Sequence, residues 1–209
     1  VTLEPCYHSS TYGSCAEQII KSKIKKIYIS KLDPDPRTNK KSIKLFKKYF
    51  IKTDIGLTSE KSDQLNNFYF VSTKLNRPYI KVKMAISNDE KIAWPDYSSK
   101  WISNIKSRSY AHKIRYQSQA ILTTSKTIIK DNPRFTVRKK NKIIKYLPVI
   151  IIDKSLKIPL NCNILKSVSK RRIIIFTSRN NKKLIKLKLL GCEIFLTKIL
   201  KSYGEFNLS

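Results

Sequence analysis

No apolar run in this chain approaches the roughly 18 residues that a membrane-spanning helix needs, so no membrane span is expected. No basic-then-apolar leader precedes the first strand, so no secretory signal is expected either. Cysteine is sparse. The four thiols, Cys6, Cys15, Cys162 and Cys192, are too few and too scattered for a disulfide framework, which points to a reducing, cytosolic compartment. Glycine is rarer than in most domains, with four residues. Acidic residues are outnumbered 14 to 44 by Lys and Arg, which leaves a formal charge of +30.

That charge could mark a phosphate-binding surface for nucleic acid. The distribution does not favour this. The excess is lysine, with nine arginines, and it is spread along the whole chain. It accompanies many Ile and Asn and few Ala, the signature of AT-rich codons. No aromatic RNA-binding signature or helix-turn-helix pattern goes with it. The charge can still speed the capture of anionic, phosphorylated substrates. Length allows one large or two small domains, and 41% apolar residues are enough to bury real cores.

What is present begins at the first residues. Thr2-Leu3-Glu4-Pro5-Cys6 ends a short strand, and Cys15 opens the helix that follows. Zinc-dependent deaminases hold two of three protein ligands in this way, because soft thiolates suit zinc, and a nitrogen ligand and water complete the tetrahedron. Their usual spacing puts two residues between the cysteines; here there are eight, Tyr7 to Ser14. The third ligand and the proton-shuttling Glu come from an upstream His-x-Glu. Neither His8 nor His112 is followed two residues later by Glu. The chain therefore reads as an interior piece that starts inside a domain. The competing reading of Cys6 and Cys15 is two small buried apolar residues.

Periodicity gives the layout. A strand end at Val1–Leu3, a helix after Cys15, a strand at 26–30 and an Asp33-Pro34-Asp35-Pro36 turn come first. A basic helix at about 39–49, a strand at 51–55 closed by Gly56, and a helix at 60–73 capped by Thr58 or Ser59 follow. Asn76-Arg77-Pro78 marks a boundary between a domain at 1–76 and one at 77–209. Beyond it, Ile80, Val82, Met84 and Ile86 alternate with Lys81, Lys83, Ala85 and Ser87, the period of a strand with one polar face. A helix at 103–116 capped by Ser103, a strand at 120–122, a short helix at 126–130 and a turn at 131–133 come next. A lysine-rich loop at 138–145, strands at 149–152 and 173–176, a helix near 181–190 and a strand at 193–196 complete the chain. Strands alternating with helices predict an α/β protein with parallel sheets in both halves.

Two halves need one explanation. Glu4-Pro5-Cys6, Cys15 and Asp-Pro-Asp-Pro mark the first. The second carries Lys83-Met84-Ala85-Ile86-Ser87-Asn88-Asp89, then Ser99-Lys100-Trp101-Ile102-Ser103, Arg115, Ser118-Gln119-Ala120-Ile121-Leu122, Thr127 and Asp131-Asn132-Pro133-Arg134-Phe135-Thr136-Val137-Arg138. In this order they resemble the bifunctional riboflavin-biosynthesis deaminase–reductase family, whose deaminase half has the eight-residue gap. The resemblance implies the C-terminal part of a cytidine-deaminase-like domain followed by a dihydrofolate-reductase-like domain. It implies zinc-dependent deamination of a diaminohydroxy-phosphoribosylaminopyrimidine, then NADPH-dependent reduction of its ribosyl group to ribityl. By matching positions, Cys6 and Cys15 would ligate Zn²⁺. Ser99, Arg115, Phe135 and Arg138 would contact the phosphorylated pyrimidine, and Ala85, Trp101, Thr127 and Asp131 would contact NADPH. A homodimer through the reductase domain is also implied.

The chemistry suits those roles. Arg115 and Arg138 each offer a planar fork of donors to phosphate. Trp101 offers a flat apolar face, although plain core is its competing reading. Thr127 and Asp131 lie four apart, so both can face one ligand. Lys83 could orient or protonate near the sugar. His8 either touches substrate or caps its loop, His112 reads as a surface residue, and Cys162 and Cys192 read as core thiols. The chain departs from the family pattern in places. Ser10 to Ser14 replace the residues usual before the second cysteine, and Glu90 stands where the family has glycine, which would strain a turn that needs positive φ. Lys154 replaces a serine, so no cofactor contact is carried there. Without the general acid–base Glu, little or no deaminase activity is expected of this stretch. The rival readings are a nucleobase deaminase acting on RNA and a basic nucleic-acid-binding module without catalysis.

Overall fold

The computed structural model describes residues 1–9, 11–96, 98, 101–140 and 142–197. Contacts between Cα atoms divide the chain into two compact units, Val1–Val82 and Lys83–Ser209. The division falls six residues after the boundary read at Asn76.

The first unit is built on a parallel pair, β1 (Lys26–Ile29) with β2 (Lys52–Ile55), in the register Ile27↔Thr53 and Ile29↔Ile55. Val1 extends it. Its amino group donates to Tyr28 O, and its carbonyl accepts from Ser30 N at 2.9 Å. The expected strand end at Val1–Leu3 is thus present as parallel hydrogen bonding rather than as a full strand. Three helices accompany these strands: α1 (Cys15–Lys21), α2 (Lys41–Lys48) and α3 (Ser59–Leu75). The core is Ala16, Ile27, Ile29, Phe46 and Ile51, with Phe46 and Ile29 fully buried. The alternation of β1 puts Ile27 and Ile29 inward, as a period of two requires. Thr58 does not cap α3. It adopts φ +57° and makes no capping bond through its side chain.

The second unit holds a four-stranded parallel sheet in the order β3 (Ile121–Thr124), β6 (Val149–Ile152), β7 (Ile173–Thr177), β8 (Glu193–Leu196). Apart from Phe176, its two central strands are made of β-branched residues, as in a sheet covered on both faces. Val149, Ile151, Ile173 and Ile175 are fully buried with Ile158, Ile164 and Leu187. Two further strands, β4 (Thr136–Lys139) and β5 (Lys142–Tyr146), form an antiparallel hairpin where a lysine-rich loop was expected. Lys139 and Lys142 are exposed and Lys145 is half-buried, donating to Tyr116 O at 3.2 Å; the lysine-rich composition hid the strands. Helices α4 (Ile105–Tyr116), α5 (Ser125–Asp131) and α6 (Lys182–Leu189) and a 3-10 helix at Leu165–Lys170 complete the unit. Asn104, Thr124 and Asn181 cap the three helices through their side chains; the first replaces the expected Ser103.

The expected strand at Ile80–Ile86 is not formed. From Asn76 to Asn104 the described residues carry no helix or strand. Ile80, Val82, Met84 and Ile86 are all exposed. Alternation fixes which side chains could face a core, but a strand also needs a neighbour for its backbone groups. None is paired with this stretch among the described residues. Lys83 and Ala85 therefore do not sit on the polar face of a strand.

Candidate functional site

Two groups of the side chains singled out in the sequence come together, one in each unit. In the first, the loop after Cys6 folds back so that the start of α1 meets Cys6. Cys15 N donates to Cys6 Sγ at 3.2 Å, and Ala16 N donates to Cys6 O at 3.1 Å. Ser14, the N-cap of α1, donates through Oγ to Cys6 O at 3.0 Å. Cys6 is half-buried and Cys15 exposed, and the two are free thiols rather than a disulfide. The Cys15 thiol is pushed above its ordinary value, first by hydrogen bonding with Cys6 and then by burial. A second thiol as neighbour disfavours two adjacent negative charges until a cation shares them.

Glu4 fixes the approach to this pair. Its buried carboxylate accepts from Ser42 Oγ at 2.6 Å, Lys40 N at 3.1 Å and Asp33 N at 3.2 Å. The Asp-Pro-Asp-Pro turn is braced in turn. Asp33 Oδ1 accepts from Asp35 N and from the Tyr69 hydroxyl at 2.7 Å. The Arg37 guanidinium forks onto Asp35 and holds its carboxyl down at about 2. His8 shares a 3.1 Å hydrogen bond with Thr38 Oγ1, so its Nδ1 is engaged in tying down the cysteine loop. No group of three or more His, Cys, Asp or Glu able to hold a metal occurs among the described residues. The donors fit zinc in type and supply two of four positions.

In the second unit, α4 and β4 gather Arg115, Phe135 and Arg138. The Arg115 guanidinium donates to Thr136 O at 2.8 Å and lies 5.8 Å from the centre of the Phe135 ring. Burial, then the charge of Arg138, lowers its pKa from the ordinary value. Arg138 N donates to His112 Nδ1 at 3.2 Å, beside a register shift between Val137 and Arg138. Burial first, then Arg115 and Arg138, push His112 below the usual imidazole range. The Thr136 hydroxyl is buried and without a partner. The charge of Arg138 acts against that of Arg115, and like charges repel unless an anion joins them.

Sequence reasoning missed two residues here. His112, read as a surface residue, supports β4. Arg171 donates to Ser167 Oγ at 2.9 Å, Phe135 O at 3.0 Å and Arg134 O at 2.6 Å, and lies 5.6 Å from the Tyr146 ring centre. It holds Phe135 at φ +44°. The available signal was an arginine two residues before the strand at Ile173 in a lysine-dominated chain.

Of the positions expected to contact a dinucleotide, Thr127 and Asp131 share α5, with Thr127 half-buried and Asp131 exposed. Ala85 is half-buried in the irregular stretch. Trp101 is 71% exposed with the Arg108 guanidinium 4.3 Å from its ring centre, so it is not core. An open indole face, a hydroxyl and a carboxylate are suitable groups for a ring and ribose hydroxyls. Ser99 lies outside the described residues. No described helix is long and apolar enough to cross a membrane.

The chain is similar to known proteins. "Riboflavin biosynthesis protein RibD" of Aquifex aeolicus is 35% identical over 220 residues, covering all of this chain and 60% of the relative. The protein of the same name from Buchnera aphidicola is 37% identical over 141 residues, 68% of this chain and 38% of the relative. Among solved structures, a diaminohydroxyphosphoribosylaminopyrimidine deaminase/5-amino-6-(5-phosphoribosylamino)uracil reductase from Thermotoga maritima superimposes with a TM-score of 0.81 at 28% identity, over 93% of this chain and 53% of that one. Acinetobacter baumannii RibD gives 0.81 at 27% identity, over 97% and 56%. The chain thus matches between 38% and 60% of the length of these relatives. Residues 78–206 match the model of the RibD C-terminal domain, and the chain belongs to that family.

Proposed function

We propose that the second unit is the reductase half of a riboflavin-biosynthesis enzyme, and that it reduces the ribosyl side chain of 5-amino-6-(5-phosphoribosylamino)uracil with NADPH. The observation that carries this is the convergence of Arg115, Phe135 and Arg138 on one helix–strand junction. Arg115 and Arg138 hold the phosphate, each through a planar fork. Phe135 covers the apolar side of the bound molecule. Thr136 accepts from Arg115 through its carbonyl, and its buried hydroxyl is without a partner among the described residues. Trp101, Thr127 and Asp131 take the dinucleotide, together with Ala85, and Ser99 joins the two arginines and Phe135 in contacting the pyrimidine substrate. When bound, NADPH supplies the hydride, and the protein supplies position and electrostatics.

The first unit contributes Cys6 and Cys15 to a zinc deaminase site whose nitrogen ligand and general acid–base Glu come from residues outside 1–209. The N–H of Cys15 pointing at Cys6 Sγ keeps the two cysteines side by side, as ligation of one zinc ion requires. This stretch alone is not expected to deaminate. Pairing of reductase domains into a homodimer and a reducing, cytoplasmic setting complete the proposal; four free thiols suit the latter.

The test is NADPH binding to the 209-residue chain, followed by energy transfer from tryptophan to the nicotinamide. Saturable binding that weakens in Trp101→Ala, with ribose 5-phosphate affinity lost in Arg115→Ala and Arg138→Ala, is the expected result. Binding of RNA in place of NADPH, falling steeply with salt, would overturn it.

A further inference from the structure

We infer that His112 is a positioning residue for the anion site: its Nδ1 takes the Arg138 amide beside the β4–β5 bulge and so sets where the Arg138 side chain leaves the strand. The inference rests on the reading of Arg115 and Arg138 as the phosphate grip.

The pairing of β4 with β5 runs Thr136↔Tyr146 and Val137↔Lys145, then jumps to Arg138↔Ile143. Ile144 is the extra residue. Such a bulge bends the ladder and re-aims side chains, and it leaves a backbone group in need of another partner. The amide of Arg138 finds that partner on α4, in His112 Nδ1 at 3.2 Å. Three residues on along the same helix face, Arg115 donates to the carbonyl of Thr136 at 2.8 Å. The helix therefore grips β4 at two points, one on each side of the register shift. Residue 136 is fixed through its C=O and residue 138 through its N–H.

The chemistry of the His112 contact is one-way. An N–H donor requires Nδ1 to be a lone pair, so the ring is neutral and its proton sits on Nε2. The charged groups facing it are Arg115 from its own helix and Arg138 from β4. Both disfavour the imidazolium. No lysine or arginine could replace this acceptor, and an aliphatic residue would leave the Arg138 amide unpaired. The bound state needs Arg138 aimed at the same anion as Arg115. His112 accordingly acts on affinity for the phosphate end of the substrate and leaves the dinucleotide alone.

The experiment compares the unmodified chain with His112→Leu, His112→Asn and His112→Gln. Asn places Oδ1 near the position of Nδ1, whereas Gln reaches toward that of Nε2. The probe is ribose 5-phosphate, read by calorimetry, with NADPH affinity measured alongside. Expected is a roughly tenfold loss of ribose 5-phosphate affinity in His112→Leu, the scale of one hydrogen bond. His112→Asn returns to within about threefold, His112→Gln stays weak, and NADPH affinity is unchanged throughout. Should His112→Leu not fold, the Asn-against-Gln contrast decides. If Asn and Gln are equally weak, or His112→Leu binds normally while Arg115→Ala and Arg138→Ala do not, the role of His112 is refuted. If those two arginine variants also bind normally, it is the phosphate-grip reading itself that fails.

Discussion

Arg171 donates through Nη1 to the carbonyl of Phe135 at 3.0 Å, from a distance of 36 residues along the chain. The bond ties the strand entry of β7 to the segment that presents Phe135 and Arg138. The same guanidinium holds Arg134 O and Ser167 Oγ, so one buried side chain satisfies three acceptors. Burial lowers its pKa from the ordinary value, yet a guanidinium stays charged. Its hydrogen bonds offset that burial.

Arg171→Met keeps the apolar stem and strands two carbonyls. The expected loss is about 2 to 4 kcal/mol of unfolding free energy, from leaving buried acceptors unpaired. Arg171→Lys should recover only part of it, because one ammonium cannot span the three acceptors that a planar fork reaches. Urea denaturation of the three proteins measures this. Equal stability of all three would mean that the loop is held by other contacts.

The four thiols should divide into two classes. Cys15 is exposed and Cys6 half-buried, while Cys162 and Cys192 lie in the core around β6 and β7. Burial first, then the neighbouring Cys162, pushes the Cys192 thiol up to about 11. Chelator-treated native protein should show two thiols reacting quickly with a disulfide reagent and two that react only on unfolding. Thiolate is the reacting form, so burial and raised pKa act in the same direction. Added Zn²⁺ should slow the fast pair without touching the slow one. Four indistinguishable rates would count against the arrangement.

The parallel sheet was legible because Val149–Ile152 and Ile173–Thr177 are apolar runs bounded by turns, which is how a doubly covered strand reads. Cys6 and Cys15, and the group Arg115, Phe135 and Arg138, were legible through motif order. Three features were not. The β4–β5 hairpin, Thr-Val-Arg-Lys and Lys-Ile-Ile-Lys-Tyr, shows no period of two, because a bulge interrupts it, and its lysines merge with a background that is already lysine. The strand expected at 80–86 has the right period, but period says nothing about a partner edge. His112 acts through one hydrogen bond to a backbone amide and Arg171 mainly through two to backbone carbonyls, and these depend on where a bulge and a turn fall.

His112 should titrate below the free imidazole value of about 6.5 when followed by its ring-proton NMR shifts. Its folded pKa is lowered, so the unfolded state binds the proton first as pH falls. Stability is full above about pH 6.5 and declines as pH drops through the folded value. His112→Asn removes the titration and should flatten that part of the stability–pH curve. Persistence of the slope in the variant would assign it to another group.

Glu90 occupies φ +62°, a conformation that L residues visit at a cost and glycine adopts freely. The turn forces it there. Glu90 N donates to Ser87 O at 3.0 Å, Ser87 N donates to Lys91 O at 2.9 Å, and Lys91 N returns to Ser87 Oγ at 3.0 Å. These three bonds close a loop that a negative φ would open. Glu90→Gly relieves the strain but also frees the unfolded chain, so the two effects partly cancel and a gain of about 0.5 kcal/mol remains. Glu90→Ala removes the charge without relieving the backbone and should gain nothing. Thermal unfolding of the two variants separates the backbone effect from the side-chain effect. A larger gain in Glu90→Ala than in Glu90→Gly would show that the carboxylate, and not the dihedral, sets the cost.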